Sequence, residues 1–165
     1  MLLSVLLALI MIVGMVLLLF SAVALIQDRR FFTTAPKDIQ EAVLDHPERF
    51  PGAHALGYAL AVCGLALIAG AFVYGAYDGI RNGFSFWQLF LRFLVILYLW
   101  KAFDMICFDR LLLTRSHFFQ HYYPETEGCA GYSQPGFNRK EQLIRIAAFP
   151  FVAALLAGIA VLIGG

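Results

Sequence analysis

The feature that most constrains the fold is the run from Leu2 to Ile26, which holds no charged side chain. At about 1.5 Å of rise per residue, a helix of this length exceeds the roughly 30 Å hydrocarbon core of a bilayer. A cleaved signal peptide would need a basic segment before Leu2, a shorter apolar run and a small-residue cleavage site. Instead, Asp28-Arg29-Arg30 follows the run, as in a stop-transfer signal. We therefore predict a retained membrane span.

Three further apolar segments follow, at about 54–77, 86–108 and 143–163. The chain is 61% hydrophobic and 14% charged, whereas globular domains are roughly 45–50% apolar. A soluble helical bundle would show a polar stripe with a 3.6-residue period, and the first, second and fourth segments show none. We predict an all-α, polytopic membrane protein of one domain, residues 1–165. It has four transmembrane helices, the first at about 2–26, and two longer loops that carry short amphipathic helices.

Small residues recur along the second segment. Ala66 and Gly70 lie four residues apart, as do Ala71 and Gly75, so each pair shares one helix face and allows another backbone to approach closely. The pattern predicts packing against other membrane helices, within the chain or in a homo-oligomer or partner subunit. We expect the lipid bilayer to surround these helices.

The basic residues are unevenly distributed between the two predicted sides. The loops that follow the first and third spans carry most of them: Arg29, Arg30, Lys37, Arg49, Arg110, Arg115, Arg139 and Lys140. The opposite side offers chiefly Arg81 and Arg92. By the positive-inside rule, both long loops are predicted to be cytoplasmic and both termini outside, in the cell inner membrane. The formal net charge of +1 gives no reason to expect a nucleic-acid partner.

Charged residues interrupt the third apolar segment at Lys101 and Asp104, with Asp109 just beyond it. A charge deep in hydrocarbon costs at least about 2.5–3.5 kcal/mol, so each requires a reason. Lys101 and Asp104 are three residues apart, close enough to pair on a helix. The alternatives are a buried ion pair, a proton, ion or ligand site, or snorkelling to the interface.

Asp104 and Asp109 are five residues apart, hence about 140° apart on an ideal α-helix. A single helix is therefore not expected to present them as a joined pair. A shared site would need a partner from elsewhere, such as Arg29, Arg30 or Arg145.

The first long loop contains the start of a helix. Pro36 suits a first helical turn, Asp38 suits the positive end of the helix dipole, and Ile39 begins a narrow apolar stripe. We predict a short amphipathic helix at about 36–45, lying against the membrane surface. Pro36, Asp38, Ile39 and Gln40 are candidates for docking a partner, and capping of the bundle is the alternative.

The second long loop holds a weak metal-binding pattern. His117 and His121 would share a helix face, with Glu125 and Glu127 nearby, and such groups can bind a divalent metal. No glutamate stands between the histidines as in a metalloprotease helix. The three cysteines, at positions 63, 107 and 129, are far apart and have no C-x-x-C spacing, so we expect neither a disulfide framework nor a zinc site.

Three short segments carry a family resemblance: Pro36-Lys37-Asp38-Ile39-Gln40, Asp104 with Asp109, and Pro124-Glu125-Thr126-Glu127-Gly128. In these segments the chain resembles a group of small four-span bacterial inner-membrane proteins of uncharacterised function. The resemblance implies a bacterial membrane protein and implies no activity.

Three functions are compatible with the sequence. The first is a non-catalytic accessory, scaffold or partner-binding subunit, since neither a nucleophile constellation nor a phosphate- or dinucleotide-binding fingerprint is found, and no cofactor is expected. The second is an oligomeric ion, proton or solute transporter that uses Asp104 and Lys101. The third is an enzyme acting on a lipid at the cytoplasmic interface, with five candidate acid, base or ligand groups: Asp109, His117, His121, Glu125 and Glu127. We favour the first.

Overall fold

The computed structural model describes residues 1–134 and 138–164. Within them six α-helices follow in chain order: α1 Leu2–Phe20, α2 Lys37–Ala42, α3 Ala53–Arg81, α4 Phe86–Phe103, α5 Phe118–Tyr122 and α6 Arg139–Gly164. Two π-helical segments continue α1 and α4: Ser21–Ile26 and Asp104–Leu113. Short 3-10 turns lie at Arg29–Phe32, Pro124–Thr126 and Ala130–Ser133. The all-α prediction is confirmed, with no strand in the described residues.

Three helices in the described residues are long and apolar enough to cross a membrane, at 2–26, 53–81 and 139–164. They correspond to the first, second and fourth predicted spans. The first has the predicted bounds, and the other two are a few residues longer than predicted. The third predicted span is not among them. Its α-helix ends at Phe103, short of the predicted 108, and carries Arg92 and Lys101.

The four long helices form an antiparallel bundle. α1 packs on α3, with Ile26 beside Gly57 and Leu7 beside Gly75. α4 packs on both α1 and α6, and Phe149 near the start of α6 contacts Tyr98 near the end of α4. The bundle core contains Leu7, Ala8, Met11, Ala71, Leu89, Phe93, Ile96, Leu97, Phe149, Ala153, Ala157 and Ala160.

The outer surface of this bundle is apolar. Val73 is 69% exposed, Phe151 79% and Leu162 84%. Soluble proteins rarely expose large contiguous apolar surfaces, whereas lipid-facing helices do so along their whole length. The surface therefore suits a membrane environment.

Two glycines allow the backbones of α1 and α3 to approach closely. A Cβ atom added to Gly64 of α3 would lie 2.6 Å from the backbone oxygen of Gly14 in α1, and one added to Gly14 would lie 2.7 Å from the oxygen of Gly64. The predicted packing role of small residues on the second segment is confirmed for this inward face, where Ala71 and Gly75 are buried. Gly70 lies on the outward face, with no atom within 4 Å of an added Cβ.

We predict that Gly64→Ala destabilises the protein by about 1–3 kcal/mol, because the added methyl group meets backbone that cannot move without separating α1 from α3. The measurement is the Tm of the purified protein in detergent. Gly70→Ala is the matched control and should leave Tm unchanged or raise it slightly. Equal effects of the two substitutions would show that the close contact does not exist.

The two long loops fold together over one end of the bundle. We call residues 27–52 and 114–134 the loop module. Its core contains side chains from both loops and from the adjoining helix ends: Val23, Phe32, Ile39, Val43, Leu113, Tyr123 and Tyr132. Tyr123 is fully buried and its ring meets that of Phe32 edge-on at 4.7 Å. The two loops are therefore one structural unit.

A buried ion pair joins α3 and α4 at the opposite end of the bundle. Arg92 Nη1 lies 2.8 Å from an Asp78 carboxylate oxygen and donates to the Gly75 carbonyl at 2.8 Å, and the guanidinium lies over the Phe84 ring. Hydrogen bonding and pairing are what a buried charge requires. The sequence analysis did not predict this pair. Asp78 and Arg92 lie equally far along the sequence on either side of Ser85, the N-cap residue of α4.

Candidate functional site

The π-helical segment Asp104–Leu113 brings two carboxylates to the same cavity. A π-helix closes hydrogen bonds from residue i to i+5, so residues five apart come to lie on one face. Asp104 and Asp109 are five apart, and both line one cavity. The prediction that one helix would not present them as a joined pair assumed α-helical geometry, in which the two side chains lie about 140° apart. The π-helical turn brings them closer together around the helix.

The cavity has a volume of about 170 Å³ and lies between the bundle and the loop module. Its walls combine both π-helical segments with residues of the two loops. The lining residues are Leu19, Ala22, Val23, Phe31, Phe32, Thr34, Ala35, Ile39, Asp104, Phe108, Asp109, Leu113, Phe119 and Tyr132. The two carboxylates are the charged groups among otherwise largely apolar walls.

Lys101 is bound to one of the carboxylates. Its Nζ donates to Asp104 Oδ2 at 2.5 Å, and the lysine side chain is only 4% exposed. The i,i+3 pairing expected from the sequence is present. A buried ammonium needs such a partner, because an unpaired charge in this environment is strongly unfavourable.

The Asp109 carboxylate is hydrogen-bonded to an amide side chain and not to one of the arginines considered above. Gln142 Nε2, from the second turn of α6, donates to Asp109 Oδ2 at 2.6 Å. The arginines considered as partners lie elsewhere. Arg29 pairs with Asp45 and Arg30 with Asp28, both at the exposed surface, and Arg145 is exposed on α6. Two carboxylates and one ammonium give the site a formal net charge of −1.

The residues considered for partner docking are used inside the chain. Pro36 and Ile39 are buried, and a carboxylate oxygen of Asp38 accepts from the Gly131 N–H at 2.7 Å. Gln40 donates to the carbonyl groups of the 33–35 turn. The helix itself is shorter than predicted, Lys37–Ala42 rather than 36–45. Pro36, Asp38 and Ile39 thus contact the second loop, which agrees with the capping role weighed as the alternative, whereas Gln40 is bonded within the first loop.

The four candidate metal ligands do not come together. His117 precedes α5 instead of sharing a helical face with His121, and both imidazoles are exposed, as is Glu127. Glu125 lies 2.9 Å from His46. Within the residues that the structure describes, no group of three or more histidine, cysteine or acidic side chains could hold a metal ion.

Glu125 has a structural role in the loop module. It accepts a hydrogen bond from the Leu44 N–H at 3.0 Å and contacts the His46 ring nitrogen. Burial alone would raise the pKa of this carboxyl group, but the hydrogen bonds from His46 and Leu44 outweigh it and lower the pKa. Nearby, burial and then the negative charge of Glu125 raise the pKa of the Tyr123 phenol, which therefore stays neutral.

Because the pKa of Glu125 is lowered in the folded protein, its contribution to stability is present above the unfolded pKa of about 4.5. That contribution is lost as the pH falls through the folded pKa. We expect Glu125→Gln to cost about 1 kcal/mol at pH 7 and little at acid pH. Tm measured in detergent between pH 7 and pH 3 tests this. Glu127→Gln, an exposed neighbour, is the control. An unchanged pH profile in Glu125→Gln would refute the assignment.

Comparisons with protein-family models, curated proteins and solved structures gave no significant match.

Proposed function

We propose that the chain is a four-span protein of a bacterial inner membrane, with α4 as the additional crossing. The support is the shared core of the loop module, to which Ile39 of the first loop and Tyr123 of the second both contribute. Loops that share a core lie on one side of the membrane, so the chain between them must cross it an even number of times. Since α3 is one crossing, α4 is the other.

In this arrangement the N-terminal helix α1 crosses the membrane before the first loop, and the C-terminal helix α6 crosses it after the second loop. Both termini then lie on the side opposite the loop module. The concentration of basic residues in and beside the module favours the cytoplasm for that side. Arg92 and Lys101 are compatible with a crossing because each has a carboxylate partner within the chain.

Labelling with a membrane-impermeant maleimide tests this topology in a background where the three native cysteines are replaced by alanine. Arg81→Cys, at the α3–α4 turn, should react in intact cells. Ser133→Cys, exposed in the loop module, should react only after the membrane is permeabilised. Reaction of both from the same side would place α4 outside the bilayer and contradict the four-span arrangement.

Within this arrangement we propose a non-catalytic binding subunit that holds a small amphipathic ligand, or part of a larger one, at the cytoplasmic interface. The observation that carries this is the cavity in which Asp104 and Asp109 face apolar walls. A comparable apolar cavity of about 150 Å³ holds a benzene molecule. The net charge of −1 favours a ligand with a short apolar body and an ammonium or other hydrogen-bond donor.

The placement of side chains favours binding over the enzymatic alternative. Of the five residues considered for catalysis, Asp109 lines the cavity, whereas Glu125 is engaged with His46 and the two histidines are exposed. General acid–base catalysis requires that the catalytic groups lie within hydrogen-bonding distance of the reacting atom. Association with a second copy or another membrane helix remains a prediction that rests on the outward face at Gly70.

Hexylammonium and hexanoate, which are matched in length and opposite in charge, provide the test. Hexylammonium should raise the Tm of the detergent-solubilised protein with saturation, and hexanoate should not. Asp109→Asn should weaken hexylammonium at least about tenfold, because a charge-assisted hydrogen bond contributes about 1.5–3 kcal/mol. Glu127→Gln is the control variant. Equal responses to both compounds would mean that the carboxylates do not define the site.

A further inference from the structure

A second pocket lies on the outer side of Asp109, between the 104–113 π-helical segment and the first turns of α6. It has a volume of about 320 Å³ and is lined by Met105, Asp109, Arg110, Asn138, Arg139, Gln142, Leu143 and Ile146. The lining changes character along α6. Arg139 is at the first position of the helix, next to Asn138, and Leu143 and Ile146 follow one and two turns further into the bundle. The pocket is therefore polar at the module end and apolar toward the membrane.

Two arginines at the polar end, Arg110 and Arg139, have no counter-ion among residues 1–134 and 138–164. Arg110 and Arg139 are exposed, and neither forms a salt bridge within the described part of the chain. Guanidinium groups donate several hydrogen bonds in a planar arrangement that matches phosphate oxygens. Basic pockets between membrane helices on the cytoplasmic side are sites where phospholipid head groups bind.

Gln142, which lines the pocket, has a side-chain oxygen that accepts no hydrogen bond in the part of the chain that the structure describes. Gln142 is 5% exposed and its Nε2 is bonded to Asp109, but its Oε1 has no hydrogen-bond partner among the described residues. A buried, unsatisfied carbonyl oxygen is unfavourable by about 1–3 kcal/mol. Asp109 adds a second acceptor beside it. A ligand that fits must therefore supply a hydrogen-bond donor as well as an anion.

We propose that this pocket binds a phospholipid whose head group carries a hydrogen-bond donor beyond the phosphate. The phosphate is bound by Arg110 and Arg139, and the donor, a hydroxyl or an ammonium group, is directed at Gln142 Oε1 and Asp109. The acyl region lies along Met105, Leu143 and Ile146. Phosphatidylglycerol and phosphatidylethanolamine share this chemistry. Phosphatidylcholine lacks it, because its quaternary ammonium has no hydrogen to donate.

Native mass spectrometry of the full chain, titrated with the three dioleoyl phospholipids, tests the head-group requirement. Phosphatidylglycerol or phosphatidylethanolamine should bind about tenfold more tightly than phosphatidylcholine, which leaves the buried acceptor unsatisfied. Preference for the first assigns a hydroxyl donor, and preference for the second assigns an ammonium donor. Equal binding of all three, or tighter binding of phosphatidylcholine, would overturn the proposal. This comparison uses the unaltered chain and does not depend on the folding of a variant.

A pair of double variants then locates the site. Arg110→Gln with Arg139→Gln should weaken phosphatidylglycerol binding about thirty-fold, which is about fivefold for each arginine at about 1 kcal/mol per basic residue. Arg115→Gln with Lys140→Gln removes the same charge from exposed positions outside the lining and should have little effect. A similar loss in both double variants would indicate general surface attraction and refute a defined pocket.

Discussion

The rest of the structure depends on the shared apolar core of the two loops. Ile39 and Tyr123 come from segments more than eighty residues apart, yet both are completely buried in it. Burying them together brings the ends of α1 and α4 side by side at the same level. Both helices continue there as π-helices, and the cavity lies between these widened ends and the module. The proposal of an even number of membrane crossings and the geometry of the cavity therefore both rest on this shared core.

The charges of α4 explain why this helix differs from its three neighbours. Arg92 and Lys101 are both buried, and each is paired near one end of the helix, with Asp78 and Asp104 respectively. Between them the helix contributes apolar side chains such as Phe93 and Ile96 to the bundle core. Each charged side chain of α4 thus lies beside a carboxylate partner, and the centre of the bundle remains apolar. In the proposed four-span arrangement, this pairing keeps the cost of charged groups in hydrocarbon low.

The local features of the chain could be predicted from its sequence, and the features that depend on distant contacts could not. Long uncharged runs identify helices, and the three-residue spacing of Lys101 and Asp104 identifies their pair. The change from α- to π-helix at Asp104 has no recognised sequence signal, so the cavity that Asp104 and Asp109 both line was not predicted. The bond between Asp38 and Gly131 joins two loops, and nothing in either segment indicates the other. For the same reason the contacts that Pro36 and Ile39 make inside the chain were not predicted.

The most direct test of the account is a cross-link between the two loops in native membranes. In a background without the native cysteines, His46→Cys with Glu125→Cys replaces two side chains that are 2.9 Å apart in the structure. A short bismaleimide should join them within one chain, and a protease cut between the loops should then leave the fragments covalently linked. If each cysteine reacts singly with a maleimide but the pair is never joined, the loops do not share a core. The four-span arrangement and the cavity would then lose their basis.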